Sequence, residues 1–140
     1  MKNNISLKKI TKSFESDKVI DGFSCEIKEN TAIMGPSGRG KTTLVRIISG
    51  LDTPDSGTVE FSSSPKFSVV FQEDRLFNDF SAIENVSVVL NRKMSKNESQ
   101  SVATSLLEEL LIAKDDHKKA VKDFSGGMKR RVAIARALAA

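Results

Sequence analysis

The stretch GPSGRGKTT, Gly35–Thr43, restricts the fold more than any other part of the sequence. It has the spacing Gly-x-x-x-x-Gly-Lys-[Ser/Thr], in which the backbone must turn inward and then enter a helix. Gly35, Gly38 and Gly40 supply the left-handed conformations that such a turn needs. The preceding run TAIM, Thr31–Met34, is apolar, stops at Gly-Pro and reads as a buried strand. After the loop, Leu44, Ile47, Ile48 and Leu51 recur at i, i+3, i+4 and i+7, one face of a helix that Gly50 and DTPDSG bring to an end. Strand, glycine loop and helix in that order call for an α/β core.

The residue types in the loop name its ligand class. Successive N–H groups converge on an anion when glycines let the chain curl around it, and Pro36, Ser37 and Arg39 occupy the positions between them. The helix opening at Lys41 adds its N-terminal partial positive charge. Lys41 brings a full charge to the outer phosphates, the Thr42 hydroxyl is placed to ligate Mg²⁺, and Thr43 completes the first turn. A nucleoside triphosphate with Mg²⁺ is the expected ligand. The bland alternative is a glycine-rich turn, which leaves the flanking strand and helix pattern without a reason.

Around this unit the chain reads as mixed β and α. Ile5, Leu7 and Lys9 alternate as a first strand, and Ile20–Ile27 reads as a second with Gly22 as a bulge. TVEF (58–61) and KFSVVF (66–71) read as two more. Ile83–Leu90 reads as a short helix, and Ser95 with Glu98 has capping-box spacing ahead of Val102, Leu106 and Leu110. A charged stretch follows in which His117, the single histidine, reads as a solvated loop residue rather than a ligand. Ser125, Gly126 and Gly127 then open a last helix, with Met128, Val132, Ala135 and Ala139 on one stripe widened by Ile134 and Leu138.

Composition bounds the setting. The 140 residues are enough for one modest core. A lone Cys25 cannot form an internal disulfide, which suits a reducing cytoplasm, and its place in VIDGFSCEI reads as a small buried position. The N-terminal MKNNISLKKITKSF lacks an apolar leader, and no run approaches the roughly 20 apolar residues of a membrane span. A net charge of +4 fits a phosphate-bearing ligand without requiring one.

Three motifs in order narrow the class. GPSGRGKTTLVRIISGLDTPDSG, then VVFQEDRLF, then FSGGMKRRVAIARALA resemble the Walker A, Q-loop and signature motifs of the ATP-binding subunit of ABC transporters, over residues 7–140. The resemblance implies a P-loop NTPase core with an antiparallel β subdomain and a helical insertion. It implies core and β subdomain over 1–90, helical subdomain over 91–124 and signature helix over 125–140. Phe14 matches the aromatic that stacks on adenine, with Val19 packing beside the ring; a core residue of the first hairpin is the alternative for Phe14. Gly35, Pro36, Ser37, Gly38, Arg39, Gly40, Lys41, Thr42 and Thr43 match the phosphate loop. Gln72 matches the residue that senses Mg²⁺ and the attacking water, and it contributes with Lys41 to a catalytic set that is not complete; a solvated strand end is its alternative.

The second anion-binding helix start acquires a purpose from the resemblance. Ser125, Gly126 and Gly127 would cap the γ-phosphate held by a second ATP-binding subunit in a head-to-tail dimer, the alternative being an ordinary Ser-capped helix. Implied partners are ATP with Mg²⁺, transmembrane permease subunits and, indirectly, a solute-binding protein, at the cytoplasmic face of the membrane. Met128 stands where the commonest form of the motif has Gln, as in the nitrate, sulfonate and taurine importer branch. The family continues with an apolar strand ending in Asp-Glu and a loop bearing His, neither of which occurs in these 140 residues. The expectation is therefore a fold incomplete at its C-terminus, weak ATP binding and negligible hydrolysis. Competing readings are a non-hydrolytic nucleotide-binding or regulatory remnant, and a nucleic-acid-associated ATPase using Lys8, Lys9, Lys12 and Lys129–Arg131. No nucleic acid is expected on the leading reading.

Overall fold

The computed structural model describes residues 4–28, 30–91 and 93–140. Met1–Asn3, the first residues of the N-terminal stretch discussed above, lie outside the described residues, as do Glu29 and Arg92. The chain forms two compact units, Met1–Phe67 and Ser68–Ala140.

The first unit is a three-stranded antiparallel sheet with one helix. Strand β1 (Ile5–Phe14) lies between β2 (Asp17–Ile27) and β3 (Ser56–Phe61). A two-residue turn with Glu15 at φ 52° joins β1 to β2, and the hairpin closes on the pair Phe14 and Asp17. Sequence alternation ended β1 too early, because a bulge breaks the period. Lys9 adopts φ 50° and the register slips between Leu7 and Ile10. In an unbroken strand residues three apart face opposite sides. The bulge instead buries both Leu7 (1% exposed) and Ile10 (0%). The expected bulge at Gly22 is present, with φ 60° and a register shift opposite Ile10–Lys12.

Helix α1 (Lys41–Ile48) buries Leu44, Ile47 and Ile48 against Leu7, Ile10 and Ile20. Cys25 is only half-buried at the margin of this cluster, and burial pushes its thiol pKa up. Two expected strands are absent. Residues 31–36 are coil with Ile33 and Met34 exposed, and 66–71 are coil as well. A strand needs a neighbour to take its N–H and C=O groups. Among the described residues, no strand pairs with Ile33 or Met34.

The second unit packs α2 (Ala82–Leu90), α3 (Lys96–Glu109) and α4 (Gly126–Ala139) around one core. Ala82, Val86, Ala103, Leu107, Val121, Val132 and Ala135 are buried there. Both α2 and α3 begin with complete capping boxes, Ser81 with Glu84 and Ser95 with Glu98. His117 is a correction to the sequence reading: it is 4% exposed rather than solvated. Its Nε2 donates to the Ile112 carbonyl at 3.0 Å, since a carbonyl can only accept. On α4 the expected stripe holds for Val132 and Ala135, while Leu138 is exposed. Among the described residues no helix is long and apolar enough to cross a membrane.

Candidate functional site

The glycine loop follows the coil at 31–34 and ends in α1. Gly38 and Gly40 adopt φ 79° and 75°, and Gly35 adopts φ 149°. A Cβ at Gly35 or Gly38 would meet nothing within 4 Å, so the cradle is open on that side. A Cβ at Gly40 would lie 3.0 Å from the carbonyl oxygen and Cγ1 of Val19. That close approach places Val19 against the end of the loop. Gly40 is also the N-cap of α1, with no side-chain cap and no acidic residue in the first turn. The helix start therefore has neither a capping side chain nor a carboxylate competing for an anion.

Lys41 places its ammonium within this loop. It donates to the carbonyls of Gly35 at 2.9 Å and Pro36 at 2.6 Å. Thr42 is exposed and Thr43 half-buried in the first turn, and Pro36, Ser37 and Arg39 are exposed. A cavity of about 310 Å³ opens beside the loop between Val19, Ile20, Phe23, Met34, Arg39 and Lys41. The residues present fit a nucleoside triphosphate: an unhindered glycine cradle, an uncapped helix start and one ammonium. Mg²⁺ fits as well, since that ion keeps waters and phosphate oxygens and needs few protein ligands. Among the described residues no cluster of His, Cys, Asp or Glu suits a metal by itself.

Phe14 is not a core residue of its hairpin; it is 48% exposed at the end of β1. The Lys12 ammonium sits over its ring, 5.4 Å from the centroid.

In the second unit, Gln72 lies on an exposed bend rather than at a strand end. Its segment is held by α4. Arg130 donates to the Phe71 carbonyl and lies 3.6 Å from the Asp74 carboxylate. Arg136 donates to the carbonyls of Asp74 at 3.2 Å and Arg75 at 2.9 Å. The Arg75 guanidinium stacks over the Phe71 ring at 4.1 Å. Neither Arg130 nor Arg136 was singled out for this from sequence; Arg130 lies in the basic run Lys129–Arg131, and Arg136 stands alone between Ala135 and Ala137.

Ser125 is the N-cap of α4, and its hydroxyl oxygen accepts from the Met128 N–H at 3.3 Å. Gly126 and Gly127 are exposed, and a Cβ on either would meet nothing within 4 Å. Lys129, Arg130 and Arg131 crowd the positive end of the helix, and the first turn has no acidic residue. Charges of that sign oppose the macrodipole. Arg131 is offset by the Leu111 carbonyl at 2.9 Å. Ser125, Gly126 and Gly127 leave the start of this helix exposed and sterically open. For the basic residues of the nucleic-acid reading, Lys8 pairs with Glu60 at 2.6 Å and Lys12 with Asp52 at 3.1 Å.

An open glycine loop entering an uncapped helix, an antiparallel β subdomain and a helical insertion define a P-loop NTPase of the ATP-binding cassette type. The ABC transporter family model matches residues 21–140, and the chain belongs to that family. It is similar to the aliphatic sulfonates import ATP-binding protein SsuB 1 of Agrobacterium fabrum, 39% identical over 137 residues. That match covers 96% of this chain and 49% of the relative, so the chain spans about half the length of this curated relative. Among solved structures, it is similar to a dimeric post-hydrolysis state of the ATP-binding cassette MJ0796 bound to ADP and Pi. There the TM-score is 0.83 at 31% identity, covering 96% of this chain and 69% of the other. It is similar also to cbiO1 from Clostridium perfringens, part of the transporter complex cbiONQ, with TM-score 0.82, 27% identity and coverage of 96% and 61%.

Proposed function

We propose that this chain binds MgATP as the motor subunit of an ABC importer for a small organic anion of the sulfonate class. The observation that carries the reading is the glycine cradle closed by Lys41 at the start of α1. Phosphate oxygens take the backbone N–H groups of Gly35–Thr43 and the Lys41 ammonium, and the Thr42 hydroxyl joins the Mg²⁺ shell. Phe14 and Val19 receive the base. Gln72 would take the role of sensing Mg²⁺ and the attacking water, as the matching position of the family implies. Ser125, Gly126 and Gly127 serve the nucleotide of a second ATP-binding subunit, so that two nucleotides lie between two head-to-tail copies. Hydrolysis in the complete protein drives permease subunits at the cytoplasmic face, supplied by a solute-binding protein. The similarity to a sulfonate import protein and to dimeric cassettes supports cargo class and pairing.

Calorimetric titration with MgATP tests this. Lys41→Ala is expected to weaken binding more than tenfold, as loss of a charged hydrogen-bond partner worth about 1.5–3 kcal/mol implies. Unchanged affinity in that variant would sink the phosphate-loop assignment. Cargo class is tested separately, by ATP turnover in the reconstituted transporter on addition of an alkanesulfonate.

A further inference from the structure

Lys12 and Phe14 stand two residues apart on β1, and the Lys12 ammonium lies over the Phe14 ring, 5.4 Å from its centroid. The Lys12 side chain is only 14% exposed although it carries a full charge. Its ammonium donates to the Thr53 carbonyl at 2.7 Å and lies 3.1 Å from the Asp52 carboxylate and 3.7 Å from that of Asp55. The loop that supplies these oxygens is itself tied to β1. The Asp55 N–H donates to the Thr11 carbonyl at 2.8 Å, and the Asp55 carboxylate accepts from the Ser13 N–H at 2.7 Å. The bond from Lys12 holds the Asp52 carboxyl below its usual pKa range, so this anchor is ionised at neutral pH. The ammonium thus has a fixed place, over the ring of a half-exposed Phe14.

A ring held this way has a cation over one face and about half of its surface in solvent. A cation over one face fixes the ring's rotamer and draws on its quadrupole, an effect of about 0.5–1 kcal/mol at exposed sites. Both effects favour a flat, π-rich group against the open surface over a conformationally free phenyl ring.

We propose that Lys12, anchored by Thr53, Asp52 and Asp55, is the positioning residue that holds the Phe14 ring ready to stack on the nucleotide base. The inference rests on the reading of Phe14 as the base-stacking residue. It adds that the turn after α1, through Lys12, sets how much of the nucleotide's affinity comes from the base rather than from its phosphates.

The test compares calorimetric affinity for MgATP with that for Mg-tripolyphosphate, which has the phosphates and no base, in the full chain. Lys12→Met is expected to weaken MgATP binding about two- to fivefold, the range that a cation–ring contact implies, and to leave tripolyphosphate affinity unchanged. Lys12→Arg, which keeps a cation in reach of the ring and of the carboxylates, is expected to restore the difference. In a Phe14→Ala background, Lys12→Met is expected to add nothing. If Lys12→Met lowers both affinities equally, Lys12 acts through the fold and the proposal is overturned. If Phe14→Ala narrows the gap between the two ligands but Lys12→Met does not, base stacking stands and the role of Lys12 falls. If Phe14→Ala leaves the gap intact, the base-stacking reading itself fails. Asp52→Asn, which keeps the ammonium and loosens its anchor, serves if Lys12→Met does not fold. A smaller loss specific to MgATP is expected there, and an unchanged gap counts against the proposal.

Discussion

Gly40 carries two constraints at once. Its φ of 75° belongs to the left-handed region, and a Cβ would press on the carbonyl and side chain of Val19 at 3.0 Å. Gly40→Ala is therefore expected to cost about 1–2 kcal/mol in backbone strain alone. It should also displace Val19 and lower MgATP affinity more than tenfold, read by chemical denaturation and titration on the same preparation. The spacing of the glycines made this position legible, since no other residue type satisfies both demands. His117 was not legible in the same way. It sits among Asp and Lys residues that face solvent, and only the fold turns its ring inward to the Ile112 carbonyl. The pairing of Lys12 with Phe14 was not legible, because the strand read from alternation stopped short of both. The carboxylates that fix it arrive from a turn some 40 residues on.

At the level of elements, helices with strong local signals were the easiest to read. Ser95 and Glu98 announced α3 by spacing alone, and the same box at Ser81 and Glu84 starts α2. In each box the serine hydroxyl bond, then the serine N–H, hold the glutamate carboxyl below its usual pKa. A carboxylate lowered in the folded state contributes stability above its unfolded value, and that contribution is lost as pH falls through the folded value. Stability of the helical unit is thus expected to fall as pH drops below about 4.3. The Glu84→Gln/Glu98→Gln double variant should show a flatter profile in pH-dependent thermal melts. Asn85 acts further inside. Fully buried, it accepts from the Phe77 N–H at 2.9 Å and donates to the carbonyls of Phe77 at 3.0 Å and Ser81 at 3.1 Å. Asn85→Ala strands these groups and is expected to cost about 2–4 kcal/mol in urea denaturation. Strands were read less well, for a physical reason. Apolar runs such as TAIM and KFSVVF report a tendency to be buried, but a ladder is a property of two segments.

On the scale of the whole molecule, the division at Phe67 and Ser68 falls within a coil that begins at Ser62. Lys66 is exposed in that coil and is followed by Phe67, which leaves its peptide bond open to trypsin. Limited trypsinolysis is expected to cut after Lys66 before any site within β1, α3 or α4, giving two fragments resolved by mass spectrometry. Initial cleavage inside α4, at Arg130 or Arg131, would contradict this picture. Order of motifs along the chain revealed the family, whereas the division into units did not announce itself. SSSPKF is too short to look like a linker, and the apolar run after it reads as a continuation of the sheet. The arginines of α4 that grip residues 71–75 also escaped sequence reading, because carbonyl partners leave no mark in composition.

The bonds from Lys41 to the carbonyls of Gly35 and Pro36 bear on any measurement of this loop. They make nucleotide capture a partner exchange. The loop carries its own competitor, covalently tethered and present at one equivalent however dilute the protein. Observed affinity is the difference between two sets of contacts to one ammonium. Truncating Lys41 removes both sets, so the measured loss understates what the lysine gives to the phosphates.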